Sequence, residues 1–176
     1  MKNRISILVI ALLVITLNQS LTAQEGGVVN KLFYTELGGP GVIMSANFDG
    51  RFSSKSRLGF GYRLGAGFGI GRFDEEFRLN VRRTYYSIPA GLNYVFGKQN
   101  SSLTFEVGAG ATYLTREVSL YNFDVEKPGN VIGFVTFMFR RVPLNGGFSF
   151  RVGFTPIIGT AGDLFPMGAI GFGYAF

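Results

Sequence analysis

The sequence contains no cysteine and no histidine among its 176 residues, and each absence excludes a kind of chemistry. Without histidine, the Ser-His-Asp arrangement and related hydrolase sites cannot form. Without cysteine there is no thiol nucleophile and no disulfide, and a zinc site would have to use carboxylates alone, which is atypical. We therefore expect neither an enzyme nor a cofactor or metal site.

The chain also lacks long apolar runs and blocks of charge. After Ala23 no segment approaches the roughly 20 apolar residues that a membrane-spanning helix needs, although 47% of the residues are hydrophobic. The formal net charge of +6 is spread along the chain, so nucleic-acid binding is not implied. The apolar residues must therefore be distributed by some pattern other than a continuous run.

The first residues have the pattern of an export signal. Lys2 and Arg4 precede the apolar segment Ile5–Leu17, and Leu21-Thr22-Ala23 offers a cleavage site. This pattern predicts a signal peptide over residues 1–23 and one domain over 24–176. A retained membrane anchor is the alternative, but the apolar run is short and ends at a small-residue site. No cysteine follows that could carry a lipid.

Glycine is abundant, with 26 residues, and its placement is the most informative feature of the chain. Residues 58–71 read LGFGYRLGAGFGIG, so that bulky apolar residues alternate with glycine and a single Arg63. Period-two alternation indicates an extended strand. Because glycine is poor in strands, this strand must be paired on both edges and its glycine face must be crowded. A closed barrel with a lipid-facing outer wall meets both conditions.

The same alternation predicts about eight strands. Pro89 marks a bulge or an unpaired position in the fourth strand, and the inward face of the sixth strand is ambiguous. If Leu32–Phe52 were one bulged strand, the count would fall to seven. The predicted strands are Lys31–Gly38, Val42–Phe52, Leu58–Arg72, Arg82–Phe96, Ser102–Val118, Val131–Val142, Phe148–Pro156 and Leu164–Phe176.

The final strand ends GAIGFGYAF, in which Ile170, Phe172, Tyr174 and Phe176 alternate with small residues. This ending resembles the terminal signal of bacterial outer-membrane β-barrels, and the whole mature chain resembles their small eight-stranded families. The resemblance implies an all-β, antiparallel, up-and-down transmembrane barrel in the cell outer membrane, exported through the periplasm. It also implies a monomer that contacts the barrel assembly machinery and outer-membrane lipid, including lipopolysaccharide.

Loop lengths fit this topology. Connections 2–3, 4–5 and 6–7 are short, whereas the charged segment Asp74–Asn80, the long segment Ser119–Asn130 and the segment Gly159–Asp163 are predicted as loops. Outer-membrane barrels have short periplasmic turns and longer outer loops. Both termini are therefore predicted on the periplasmic side.

Four charged residues are predicted to face the barrel interior: Asp49, Arg63, Glu106 and Arg151. In an eight-stranded barrel the interior is just wide enough for side chains to fill, and buried ions must be paired. A salt-bridged plug is the favoured interpretation, and a narrow gated pore is the alternative. A catalytic pair formed by Asp49 and Glu106 is conceivable, but ion pairing is the commoner role of two such carboxylates.

Two further groups are predicted at the barrel rims. Arg72, Arg78, Arg82 and Arg83 could contact lipopolysaccharide phosphates or form a solvated rim, and Tyr121 and Phe123 could be adhesion contacts or loop packing. Aromatic residues near strand ends are predicted to form girdles at the membrane interfaces. These are Tyr34, Tyr85, Tyr86, Tyr94, Phe96, Tyr113, Tyr174 and Phe176.

Three functional hypotheses are compatible with the sequence. The first is a non-enzymatic outer-membrane barrel with a filled lumen and a structural or surface-interaction role. The second is a narrow pore or a barrel that binds or transports an apolar ligand. The third is a soluble lipocalin-like barrel, in which the large apolar groups would point inward.

Overall fold

The computed structural model describes residues 27–75, 78–115, 130–159, 162 and 164–176, and it describes no side chains for residues 71–83. The predicted signal peptide, and Tyr121 and Phe123 of the long loop, lie outside the described residues. No helix in these ranges is long and apolar enough to cross a lipid bilayer.

The described residues form an antiparallel barrel closed by eight strands. Its strand order is β1, β2, β3, β4, β5, β6, β7 and β10, and the β1–β10 pairing completes the ring. The short strands β8 and β9 pair with each other, and β8 also pairs with β6. The strands are β1 (Lys31–Gly38), β2 (Met44–Arg51), β3 (Gly59–Glu75), β4 (Arg78–Gly97), β5 (Leu103–Leu114), β6 (Val131–Arg141), β7 (Gly147–Phe154), β8 (Ile157–Ile158), β9 (Leu164–Phe165) and β10 (Gly168–Ala175).

The predicted fold class is confirmed, and the seven-strand alternative is wrong. A short 3₁₀ segment at Gly39–Gly41 separates β1 from β2, and these two strands pair with each other from Leu37↔Met44 onward. Pro89 occupies a position unpaired with β3, as predicted: the β3–β4 ladder skips from Leu64↔Ala90 to Gly67↔Ser87 without a change of register. Proline cannot donate to the ladder, which explains the gap.

The prediction of a charged loop over Asp74–Asn80 is wrong. Strands β3 and β4 continue through most of this segment and still pair at Glu75↔Arg78. Strand β2 leaves β3 after Phe68, and β5 leaves β4 at Ser87, so the rest of β3 and β4 forms a two-stranded ribbon beyond the barrel. Water can solvate both faces of such a ribbon, and charged residues therefore need not interrupt it.

The alternation along the strands has the orientation that the sequence predicts. Bulky residues point outward, and Phe60 and Leu92 remain 66% and 60% exposed. Arg63, Asn93 and Glu106 on the opposite faces are buried. The lipocalin-like alternative, with large apolar groups inside, is therefore wrong. On β6, whose parity is ambiguous in the sequence, the inward residues are Ile132, Phe134, Thr136, Met138 and Arg140.

The inward glycines make room for large side chains from other strands. A Cβ atom at Gly110 would lie 2.6 Å from Cζ of Phe134, and one at Gly171 would lie 2.9 Å from Cγ of Arg151. A Cβ atom at Gly69 would collide with the ring of Tyr85 on the paired strand. The glycine face is therefore crowded, as the sequence predicts. Large side chains from other strands occupy the space that a side chain at each of these glycines would need.

This complementarity predicts a position-dependent cost of adding one methyl group. Gly69→Ala should destabilise the barrel by about 1–3 kcal/mol, because the new Cβ forces Tyr85 from its place. Gly168→Ala is the matched control. Gly168 is exposed, and a Cβ atom there would lie 3.8 Å from its nearest neighbour, the Gly153 carbonyl oxygen. The free energy of unfolding should therefore change by no more than about 0.5 kcal/mol. Urea unfolding of the refolded proteins measures both, and equal losses would contradict this account of the glycine face.

An outward belt of aromatic rings surrounds one end of the barrel. This end, here called the terminal end, holds both described chain ends and the connections at residues 52–58, 98–102 and 142–146. The rings of Phe60 and Tyr94 are 4.8 Å apart, and contacts continue through Phe96, Phe105, Phe139 and Phe150. Tyr34 and Tyr85 do not belong to any belt: each is 1% exposed and faces the interior, so their assignment to a girdle is wrong.

Candidate functional site in the barrel interior

Seven buried charged side chains meet in the barrel interior. They come from six strands and form one connected set of ion pairs, here called the Glu106 network. Its members are Glu36 on β1, Asp49 and Arg51 on β2, Arg63 on β3, Glu106 on β5, Arg140 on β6 and Arg151 on β7. Inward-facing positions on these strands bring the side chains together across the barrel, although they lie far apart in the sequence.

Glu106 is the centre of this network because it contacts three guanidinium groups. Its Oε1 accepts hydrogen bonds from Nη2 of Arg63 at 2.7 Å and from Nη2 of Arg151 at 2.8 Å. Its Oε2 accepts from Nη1 of Arg140 at 2.7 Å. Charge-assisted bonds of this length are strong, and here they join four strands through one carboxylate.

Asp49 forms a second centre nearer the terminal end. Its Oδ1 lies 2.6 Å from Nη2 of Arg51 and 3.2 Å from Nη2 of Arg140. Its Oδ2 accepts a 2.5 Å hydrogen bond from the side-chain amide of Asn93 on β4. Arg140 therefore bridges Asp49 and Glu106, so the two carboxylates share one cation instead of facing each other as an acid–base pair.

Glu36 and Tyr34 extend the network along β1. Nε of Arg151 lies 3.1 Å from Oε1 of Glu36, and Nη1 of Arg63 lies 3.9 Å from Oε2 of Glu36. The Arg151 guanidinium carbon is 4.6 Å from the centre of the Tyr34 ring, and that of Arg63 is 5.7 Å away. These distances allow cation–π attraction, which is strengthened when the groups are removed from water.

An apolar cluster fills the interior toward the end opposite the termini. The side chains of Val42, Tyr85, Leu114, Ile132, Phe134 and Ile157 form a buried cluster, with Phe165 and Met167 packed against it. The Gly39–Gly41 segment turns inward over the same region: the Ser87 hydroxyl donates to the Gly41 carbonyl at 3.0 Å, and the Thr112 hydroxyl donates to the Pro40 carbonyl at 2.7 Å. A second, smaller buried apolar cluster lies nearer the terminal end and consists of Leu32, Tyr34, Val142 and Ala175.

The structure places all four predicted interior residues, Asp49, Arg63, Glu106 and Arg151, in one network. The sequence reasoning missed Glu36, Arg51 and Arg140. Glu36 and Arg51 could have been found by extending the alternation on β1 and β2, since each shares a face with a buried residue. Arg140 gave no usable signal, because large residues occur on both faces of β6. Each carboxylate of the Glu106 network contacts arginine, and no group of the described residues could hold a metal ion.

The other predicted residues have different outcomes. The β3–β4 ribbon contains the four arginines predicted at the outer rim, Arg72, Arg78, Arg82 and Arg83. The structure describes their backbone positions but not their side chains. Ile170, Phe172, Tyr174 and Phe176 are exposed on the outward face of β10 or just after it. This strand completes the ring between β1 and β7. A role for these four residues in assembly stays a prediction.

Comparison with known proteins identifies the type of barrel. No protein-family model and no curated protein matches the chain. Among solved structures, it is similar to the N-terminal β-barrel domain of Pseudomonas aeruginosa OprF, with 14% identity, a TM-score of 0.50, and coverage of 85% of this chain and 99% of that one. It is also similar to the Yersinia pestis outer membrane protein Ail in a phospholipid bilayer nanodisc, with 15% identity and the same TM-score and coverage. At these identities the likeness concerns the fold alone.

Proposed function

We propose that this chain, which has the fold of the small eight-stranded outer-membrane β-barrels, is a non-enzymatic integral protein of the bacterial outer membrane with a lumen closed by its own side chains. Residues 1–23 would direct its export, and residues 24–176 would form the barrel as a monomer. The terminal end would face the periplasm, because short connections and chain ends lie on that side in such barrels.

The outer wall supports insertion into a membrane. Exposed Phe, Leu, Ile, Val and Tyr side chains cover the outward faces of the strands, far beyond what a soluble protein of this size leaves in contact with water. The aromatic belt at the terminal end has the position expected of an interfacial girdle. An apolar band bounded by aromatic rings fits a lipid bilayer and has no evident role in water.

The observation that carries the closed lumen is the contact of Glu106 with three arginines. These guanidinium groups reach across the barrel axis from β3, β6 and β7 and meet at one carboxylate. Separating them would leave buried charges unpaired, which costs several kcal/mol. The apolar cluster and the inward Gly39–Gly41 segment support closure toward the end opposite the termini.

The role that fits such a barrel is structural or lies in surface interaction. The β3–β4 ribbon extends beyond the barrel at the end opposite the termini and carries Arg72, Arg78, Arg82 and Arg83. Guanidinium groups bind phosphate well, so this ribbon is our proposed contact with lipopolysaccharide. The β10 ending would be the part that the barrel assembly machinery binds.

A narrow pore is the second candidate, favoured by one observation: the Glu106 network has four arginines for three carboxylates, an excess of positive charge typical of an anion path. Recording from planar bilayers separates the two candidates. We expect the refolded wild-type protein to give no steady conductance. Arg141→Ala should also be silent, since Arg141 is exposed at the end of β6 and lies outside the network.

A steady wild-type conductance that changes in Arg63→Ala or Arg151→Ala, and not in Arg141→Ala, would replace the closed-lumen proposal with the pore. Folding of each sample is checked first by heat-modifiable migration on gels in detergent. A protein that stays in solution without detergent and shows no such shift would contradict membrane insertion itself.

A further inference from the structure

A small recess that opens to solvent lies in the mouth of the barrel at the terminal end. Three arginines line it: Arg51 from the end of β2, Arg57 from the connection between β2 and β3, and Arg140 from β6. Asn30, Lys31 and Thr104 are its other polar lining residues. The recess is therefore rich in hydrogen-bond donors with positive charge.

Arg57 has a place in this recess that its own contacts do not explain. The side chain is about nine-tenths buried, with a residue exposure of 9%. Nη2 donates a 2.5 Å hydrogen bond to the carbonyl of Val142, but Nη1 is buried and has no hydrogen-bond partner. Nε of Arg140, on the same recess, is also buried without one. Burial, with repulsion from Arg140 as a second cause, lowers the pKa of Arg57.

The carboxylates of the interior cannot supply the missing partner. Among the residues with described side chains, the acidic ones are Glu36, Asp49 and Glu106, and all three belong to the Glu106 network. None of them lies within ion-pair distance of Arg57. Adding Arg57 to the four arginines of the network leaves two positive charges in excess. A buried excess of this size favours binding of an anion from outside the barrel.

We propose that this recess is a phosphate-binding site, with Arg57 as the main contact and Arg51 and Arg140 as the flanking cations. Guanidinium groups match the oxygen geometry of phosphate. Bound phosphate would balance most or all of the excess charge, because a phosphate with a titratable second proton carries roughly −1.5 to −2 near neutral pH. The phosphate would come from free solute in the periplasm or from a lipid headgroup in the inner leaflet.

The experiment titrates inorganic phosphate into the refolded full-length barrel in maltoside micelles, which contain no phosphate, at constant ionic strength. We expect saturable binding by the wild type and about tenfold weaker binding by Arg57→Gln, the loss expected for one charge-assisted contact. Lys55→Gln is the matched control: it removes the same charge from the same connection, but this side chain is exposed. The phosphate affinity of Lys55→Gln should differ from that of the wild type by less than about twofold, because a charge exposed to water contributes little to binding.

Arg57→Lys keeps the charge and loses the planar fork, so its affinity should fall between those of the wild type and Arg57→Gln. If Arg57→Gln does not refold, the weaker binding of Arg57→Lys still tests the site. Parallel titration with dihexanoyl phosphatidylglycerol identifies the source. Tighter binding of this lipid, lost in the Arg57 variants, indicates a headgroup, and tighter binding of inorganic phosphate indicates a free anion.

Absence of saturable binding of either probe would overturn the proposal. So would equal losses in Arg57→Gln and Lys55→Gln, because these would indicate diffuse attraction by the basic rim. The assay uses neither conductance nor a bilayer, and its outcome is therefore independent of whether the lumen is closed.

Discussion

Glu106→Gln should lower the free energy of unfolding of the barrel by about 3–5 kcal/mol, the loss expected when one partner of a buried ion pair is removed. Glutamine keeps the shape of the side chain but not its charge. Arg63, Arg140 and Arg151 would then converge on a neutral amide, and their mutual repulsion would no longer be balanced. We expect this to be the largest effect of any single charge removal in the interior.

Urea unfolding of the refolded protein, followed by the loss of heat-modifiable migration, measures the change. Glu36→Gln is the internal comparison. Glu36 is equally buried, but it has one close guanidinium contact at 3.1 Å and a second at 3.9 Å. Its loss should be clearly smaller than that of Glu106→Gln. Equal losses would show that burial of the carboxylate, and not its position among three arginines, determines the cost.

A double variant tests the electrostatic reason. If repulsion among the arginines causes the loss, removing one of them in Glu106→Gln/Arg63→Met should recover at least about 1 kcal/mol relative to Glu106→Gln alone. Strictly additive losses would contradict a coupled network. The two residues are in direct contact at 2.7 Å, which is the condition under which such coupling is measurable.

Leu64→Arg should destabilise the barrel in lipid vesicles by about 2–4 kcal/mol, the cost of arginine near the middle of the lipid-facing surface of an outer-membrane barrel. Leu64 points outward from β3 and is 55% exposed. It lies four residues beyond Phe60 of the aromatic belt, which places it deeper in the proposed hydrocarbon band. A guanidinium at this depth would have to leave water or distort the bilayer.

The matched control is Leu144→Arg, the same substitution at an exposed leucine in the connection between β6 and β7. This position lies outside the proposed hydrocarbon band, and the expected change is within about 0.5 kcal/mol. Folding titrations of both variants into vesicles from urea give the comparison. Equal, small losses at the two positions would mean that the outward face of β3 does not contact lipid.

Local alternation was sufficient to predict which face of most strands points inward. In LGFGYRLGAGFGIG the bulky residues share one parity, and successive strand residues must point to opposite sides. From this rule follow the all-β fold, the outward position of Phe60 and Leu92, and the inward position of Arg63 and Glu106. The closed barrel was predicted from a second feature, the glycine face, which requires pairing on both strand edges. The alternation rule also shows that Tyr85 and Tyr86 cannot both belong to an outer girdle, because consecutive strand residues point to opposite faces of the sheet.

Contacts across the barrel could not be obtained in this way. Which inward residues meet depends on the register of every strand pair and on how the ring closes. Both are properties of the whole sheet and not of any single strand. For this reason the sequence did not predict that Arg140 belongs to the network, or that the Tyr85 ring packs against Gly69. The inward turn at Gly39–Gly41 was hidden for the same reason, since its partners Ser87 and Thr112 lie on β4 and β5.

The sequence by itself determined alternating strands with bulky apolar residues on the outer face and charged residues such as Arg63 and Glu106 on the inner face, because alternation is a local consequence of strand geometry. Only the tertiary structure decided how the interior charges are matched. Glu106 has three arginines, whereas Arg57 has no carboxylate among the described residues. Charge balance in a barrel depends on distances across its axis, and the order of residues along the chain does not specify those distances.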